Sequence, residues 1–160
     1  MSYLITGVPL KRAKLVFDGG ADDIITEWVG RRTTKPDRRA ESPNAWFKKE
    51  AYRFLKRYVE LGRIDIFQAA NKARSKRLVD DVGQNPFKLG LLAMFSDESI
   101  SRSDRHVFGN QMLYAYRHFV PADFLNAFLA VSGGPAAIAE KLKSGEVEPG
   151  FEERIARYRR

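Results

Sequence analysis

Residues 44–62 carry the strongest helical pattern in the chain, and this pattern limits the fold more than any other feature. At about 100° per residue, the large apolar side chains fall on one helix face about 120° wide. They are Phe47, Ala51, Phe54, Leu55, Tyr58 and Leu61. Ser42 and Pro43 have the residue types of an N-cap and a first helical position, and Gly62 follows as a stop. The sequence therefore predicts an amphipathic helix that needs a core to pack against.

Similar helical patterns, each bounded by capping residues or glycines, continue through most of the chain. Ser101 with Asp104, for example, resembles the start of a capping box before another helix. A length of 160 residues is enough for one domain with its own core. We therefore predict a mainly α protein, a single domain over residues 1–160, with about six or seven helices. Residues 44–83 form a basic helical pair in this prediction, and residues 84–160 supply most of the helical core.

The amino-terminal segment has a different pattern from the rest. Leu15, Val16 and Phe17 form a short apolar run of the kind found in strands, and a similar run covers residues 4–6. Glycines at positions 19 and 20 have the character of a turn. We therefore expect an extended arm or small β-hairpin over residues 1–20.

Positive charge is concentrated in one region of the chain. Residues 31–77 contain fifteen Lys and Arg residues and five Asp and Glu residues, a local balance of +10, whereas the remainder sums to −2 and the whole chain to +8. Residues 31–43 contain almost nothing apolar, which predicts a flexible basic loop. A concentrated positive field attracts polyanions. This region is therefore the main candidate for a binding surface.

Basic and aromatic side chains occur together in that region. On the predicted helix, Lys49, Arg53, Lys56 and Arg57 fall opposite the apolar face, with Trp46 beside them and Tyr52 at the margin. Lys and Arg neutralise phosphates, and an aromatic ring can stack on an unpaired base. The candidate nucleic-acid-binding residues are Arg31, Arg32, Arg38, Arg39, Trp46, Lys49, Arg53, Lys56, Arg57, Lys72, Lys76 and Arg77. The alternative interpretations are a solvated helix face or a docking patch for an acidic protein.

Other patterns give weaker candidates. Residues 121–143 have the lengths of a helix-turn-helix, but the second helix offers no Arg, Asn or Gln to read base edges. His106 and His118 project about 120° apart on one helix, which argues against a shared metal. The adjacent carboxylates at 22–23, 80–81 and 97–98 point in different directions on a helix. No residue emerges as catalytic or metal-ligating, and we expect no cofactor.

The sequence lacks cysteine, which excludes disulfides, zinc ribbons and thiol catalysis. No stretch approaches the ~18 apolar residues that a membrane span requires, and we expect a cytoplasmic protein. The leading hypothesis is a non-enzymatic nucleic-acid-binding protein that contacts phosphates (of DNA or RNA) largely independently of sequence. The alternative is an adaptor or inhibitor that docks its basic face on an acidic protein surface.

Overall fold

The structure of the protein is a computed structural model that describes residues 7–35, 40–73, 85–95 and 100–158. The α-helices in these ranges are α1 (Leu10–Thr33), α2 (Pro43–Glu60), α3 (Ile64–Ala73), α4 (Pro86–Met94), α5 (Arg102–Arg117), α6 (Leu125–Ser132), α7 (Pro135–Ser144) and α8 (Phe151–Tyr158). A 3₁₀ turn (Ala122–Phe124) precedes α6. The described part contains no β-strand, and the predicted mainly α class is confirmed.

The prediction of an extended or β-hairpin arm over residues 1–20 is not supported, because α1 is one continuous helix from Leu10. Residues 1–6 lie outside the described ranges. Tertiary packing explains the difference. Glycine in a helix interior destabilises the helix by only about 1 kcal/mol relative to alanine, and packing of α1 on the core outweighs this cost. Gly20 lets α2 approach closely, and a Cβ at this position would lie 2.7 Å from the ring of Phe54. The buried stripe at positions 13, 17, 21 and 28 fixes α1 on the core.

Side chains cap three of the described helices at their amino-terminal ends, and two of these caps are predicted from the sequence. The Ser42 hydroxyl accepts a hydrogen bond from the Ala45 amide at 3.2 Å, with Pro43 in the first turn of α2. The Ser101 hydroxyl accepts one from the Asp104 amide at 3.0 Å, so both predicted N-caps are confirmed. Asn85 caps α4 in the same manner. Each cap satisfies amides that the helix itself leaves unpaired.

Aromatic rings join the amino-terminal helices to the rest of the core. The Phe17 ring centre lies 5.3 Å from that of Tyr58 and 5.4 Å from that of Phe67, so α1 packs on both α2 and α3. Trp28 stacks on Phe47 with ring centres 4.1 Å apart. Helices α1 to α3 therefore contribute large buried rings to the core beside those of residues 85–158.

The carboxy-terminal helices pack around α5. Gly109 allows α4 to cross α5 closely, because a Cβ at Gly109 would lie 3.2 Å from the Lys88 Cα. Helix α7 also packs against α5, and its own Ile138 side chain is completely buried. In the described ranges no single helix has the length and apolar character of a membrane span. The α6 segment and α7, bent by 93°, meet those two criteria only when taken together.

Candidate nucleic-acid interface

The outer face of α2 carries the cations that the sequence places there. Arg57 is exposed, and Lys49, Arg53 and Lys56 are partly exposed. Tyr52, predicted at the margin of this face, is fully buried instead, and its hydroxyl donates to the Val120 carbonyl at 2.6 Å. The side chain is therefore part of the core and of the contact between α2 and the chain after α5.

Within the described ranges, three of the four cations on this face form ion pairs with carboxylates of the protein itself. Lys49 pairs with Glu41 at 2.8 Å. Lys56 pairs with Glu60 at 3.6 Å. The Arg53 guanidinium contacts Glu50 at 2.6 Å and also pairs with Asp123 in the 3₁₀ turn. Such exposed pairs stabilise a fold by roughly 1 kcal/mol or less, but they partly neutralise the positive field of this face.

Glu41, which lies just before α2 and pairs with Lys49, also helps to join α2 to α6. Glu41 accepts a hydrogen bond from the Asn126 side chain at 3.3 Å, and Asn126 donates to the Ala45 carbonyl at 3.0 Å. Lys49 and Arg53 lie along the same seam, through Glu41 and Asp123 respectively. The sequence reveals these cations but not the seam, because Asp123 and Asn126 are distant from α2 in the chain.

At the carboxyl end of α1, two arginines stack on two tryptophans. The Arg31 guanidinium carbon lies 4.5 Å from the centre of the Trp46 ring, and that of Arg32 lies 4.4 Å from the centre of the Trp28 ring. Arg31 and Arg32 are helical, so the predicted loop over residues 31–43 begins later, after Thr33. Trp46 is partly buried against the core, with Arg31 over its ring. An incoming base would have to displace that guanidinium.

Hydrogen bonds hold both stacks in place. The Trp28 indole N–H donates to the Asn44 side-chain oxygen at 3.2 Å, which ties α1 to the first turn of α2. The Arg31 Nε–H donates to Glu27 at 3.0 Å, which orients the guanidinium along the helix. An arginine that lies flat on a ring keeps its planar N–H edge available for a carboxylate or phosphate. The paired stacks therefore present two oriented cations at one end of α1.

The remaining predicted residues divide into two groups. Lys72 is exposed near the end of α3. The others, Arg38, Arg39, Lys76 and Arg77, lie outside the described residues.

A second basic cluster, which the sequence analysis missed, lies where α4 crosses α5. Lys88 is only 9% exposed, and its Nζ lies 3.4 Å from the His106 Nε2. Burial lowers the pKa of Lys88, and the charge of Arg105 lowers it further. Burial and the charges of Lys88, Arg102 and Arg105 lower the pKa of His106 in the same direction. The i, i+3, i+4 spacing of positions 102, 105 and 106 places them on one helix face, and this spacing is the sequence signal for the cluster.

The described residues hold no group of three or more His, Asp or Glu side chains arranged to bind a metal ion. Comparison with protein-family models, curated protein sequences and solved structures finds no match to this chain.

Proposed function

We propose that this protein is a non-enzymatic, cytoplasmic nucleic-acid-binding protein that contacts phosphates largely independently of sequence. The observation that carries the proposal is the stacking of Arg31 on Trp46 and of Arg32 on Trp28. Two guanidinium groups already held over rings lose little side-chain freedom when a phosphate binds. Their planar N–H edges suit bidentate contact with phosphate oxygens.

The basic face of α2 adjoins this arginine pair. It extends the binding surface along the strand of the bound nucleic acid. Arg57 is its most exposed cation, whereas Lys49, Arg53 and Lys56 share their charge with carboxylates. We assign the main phosphate contacts to Arg32 and to Arg31, which also shares its charge with Glu27, because both guanidinium groups are held over rings. The α2 cations supply a supporting, long-range attraction. Trp46 serves in this proposal as the platform for Arg31 rather than as a stacking partner for a base.

The test is binding of labelled single-stranded DNA, duplex DNA and RNA, measured by anisotropy at about 50 and 200 mM salt. We expect affinity to fall by orders of magnitude between the two salt concentrations, because each phosphate contact releases counterions. The variant Arg31→Gln/Arg32→Gln should bind more weakly and reduce the slope of log affinity against log salt by about 2.

The matched control is Lys11→Gln/Arg12→Gln, in the first turns of the same helix. It removes the same charge from exposed positions about 30 Å away along α1. Equal losses of affinity in the two double variants would mean that diffuse charge, and not the arginine pair, attracts the polymer. Absence of binding by the natural sequence at low salt would overturn the proposal.

A second candidate function is an adaptor that docks its basic face on an acidic protein. The ion pairs of Lys49 with Glu41 and of Arg53 with Asp123 favour it, because these cations already bind carboxylates from other parts of the chain. Such an adaptor would purify free of nucleic acid and would retain a defined partner. Nucleic acid removed only by high salt would support the first proposal instead.

A further inference from the structure

A second surface, which is mainly apolar instead of basic, lies between the end of α5, α6 and α8. It is an open cavity of about 900 Å³, lined on the described side chains by aromatic and aliphatic groups with one histidine and one arginine. This volume falls within the range of ligand sites, about 300–1,000 Å³. Phe128 and Phe151 both contact the His118 ring, with ring centres 5.2 and 4.5 Å from it. The cavity is thus walled mainly by rings.

The outer side of the α6 segment supplies an apolar stripe that the core does not use. Phe124, Ala127, Phe128 and Val131 recur at i, i+3, i+4 and i+7 and all line the cavity. Phe124 is 63% exposed and Val131 is 79% exposed, whereas Leu129 on the other side is buried. An exposed apolar patch on a folded protein marks a binding surface more often than chance. The exposed stripe therefore marks a surface suited to an apolar ligand.

Phe119 adds an observation independent of the stripe. Its backbone is left-handed, with φ of 56°, the only such value outside glycine in the described chain. Its ring is 70% exposed at the cavity edge. A bulky residue is sterically disfavoured in this conformation, and the small burial of the ring offsets little of that cost. Strain of this kind concentrates at functional sites, which points to a contact made by the Phe119 ring.

The histidine in the cavity presents its ring rather than a free polar atom. The His118 Nδ1 lies 2.7 Å from the Tyr114 carbonyl and donates to it, and Nε2 accepts from the Glu148 amide at 3.0 Å. Both nitrogens are therefore committed. Arg154 is the only formally charged residue among the described lining residues. A ligand that satisfies this site has a long apolar body and a single negative charge.

We propose that the cavity binds a free long-chain carboxylate, with the hydrocarbon chain along the exposed stripe of Phe124 and Val131 and the carboxylate on Arg154. A guanidinium binds a carboxylate through two parallel N–H···O bonds, and the apolar walls remove the chain from water. Phe119 packs on the chain from the open side. This inference does not depend on nucleic-acid binding, since none of its residues belongs to the α1–α2 surface.

The first test is calorimetric titration with dodecanoate and with dodecyltrimethylammonium, each below its critical micelle concentration. We expect one saturable dodecanoate site, at least about tenfold tighter than any site for the cation. Arg154→Gln should abolish this preference. The matched control Arg157→Gln, one turn further along α8 and outside the cavity lining, should retain it. A preference lost equally in both variants, or kept in both, would overturn the assignment of Arg154.

The second test fills the cavity without touching the charge. Ala127→Trp places a large ring in the exposed stripe, so dodecanoate binding should weaken by tenfold or more while the thermal unfolding midpoint stays near that of the natural sequence. Unchanged binding would show that the fatty acid lies elsewhere, and would overturn the proposal. So would sedimentation that shows a dimer dependent on Phe124 and Val131, because a second copy would then cover the stripe.

Discussion

Phe119 occupies at the end of α5 the position that Gly62 occupies at the end of α2. At α2 the Gly62 amide donates to the Val59 carbonyl and the Arg63 amide to the Tyr58 carbonyl. At α5 the Phe119 and Val120 amides make the corresponding bonds to Tyr116 and Ala115. Both are Schellman motifs, whose left-handed position is normally glycine. The protein closes one helix with the residue suited to the turn and the other with an exposed phenylalanine.

Phe119→Gly should therefore stabilise the fold, by about 1 kcal/mol, because glycine adopts the left-handed conformation without steric cost. Little burial is lost, since the ring is 70% exposed and its described ring partner is Phe151 at 6.2 Å. Denaturant unfolding at constant m-value measures the change. The reciprocal control is Gly62→Ala, at φ of 67° with open space around the new Cβ, which should destabilise by a similar amount. A Phe119→Gly protein less stable than the natural one would mean that the ring packs more than its exposure indicates.

The neighbouring glycines of α1 provide a second test. A Cβ at Gly19 would meet nothing within 4 Å, so Gly19→Ala should stabilise the helix by roughly 0.5–1 kcal/mol. A Cβ at Gly20 would lie 2.7 Å from the Phe54 ring, and Gly20→Ala must displace that ring from its stack on Phe17. We expect Gly20→Ala to be the less stable variant in thermal unfolding. The reverse order would indicate that α1 is not pressed against α2 at this point.

Local patterns predicted the helices that begin with a strong cap and have a wide apolar face. The face of α2 and the Ser42 and Ser101 caps are confirmed because each depends on residues close in sequence. The start of α1 was predicted wrongly, because its glycines and short apolar run favour a turn and a strand. Contacts with α2 and α3, which are distant in sequence, decide the outcome there.

The candidate surface was predicted in composition but not in arrangement. The sequence indicates which cations lie on the outer face of α2, yet it does not show that Glu41 and Asp123, both outside α2, pair with Lys49 and Arg53. The stacking of Arg32 on Trp28 has a local signal, since i, i+4 side chains meet on a helix. The fit of Arg31 over Trp46 has none, because it depends on how α1 crosses α2.

The Tyr52 hydroxyl stabilises the fold, because it links α2 to the segment that carries Phe119. Its hydrogen bond to the Val120 carbonyl is buried, and Tyr52→Phe leaves that carbonyl without this donor. We expect a loss of about 1–2 kcal/mol in the free energy of unfolding. Tyr116→Phe is the matched control, because Tyr116 contributes a ring contact with Phe87. Equal effects of the two substitutions would exclude a specific role for the Tyr52 bond.

Glu148, which lies just before α8, makes the free energy of unfolding depend on pH. Burial opposes ionisation, but hydrogen bonds from Lys141 and Tyr114, at 2.9 and 3.0 Å, outweigh it and hold the pKa of Glu148 below its ordinary value of 4.5. A lowered pKa in the folded state means that this stabilisation is complete above the ordinary pKa and is lost as pH falls below it.

Glu148→Gln should therefore reduce the difference in unfolding free energy between about pH 7 and pH 3.5. Glu153→Gln, an exposed carboxylate on α8, is the control and should leave that difference close to its natural size. Urea titrations at both pH values measure the effect. An identical pH dependence in Glu148→Gln and in the natural sequence would show that the Lys141 and Tyr114 contacts do not stabilise the ionised form.

The two arginine stacks have an optical consequence. The chain contains two tryptophans, and both lie beneath a guanidinium at the end of α1. Trp28 is 2% exposed and sealed between Phe47 and Arg32, whereas Trp46 is nearer the surface. An anion that draws Arg31 away would change the polarity around the Trp46 indole. The intrinsic emission of the unlabelled protein thus contains a reporter of that event.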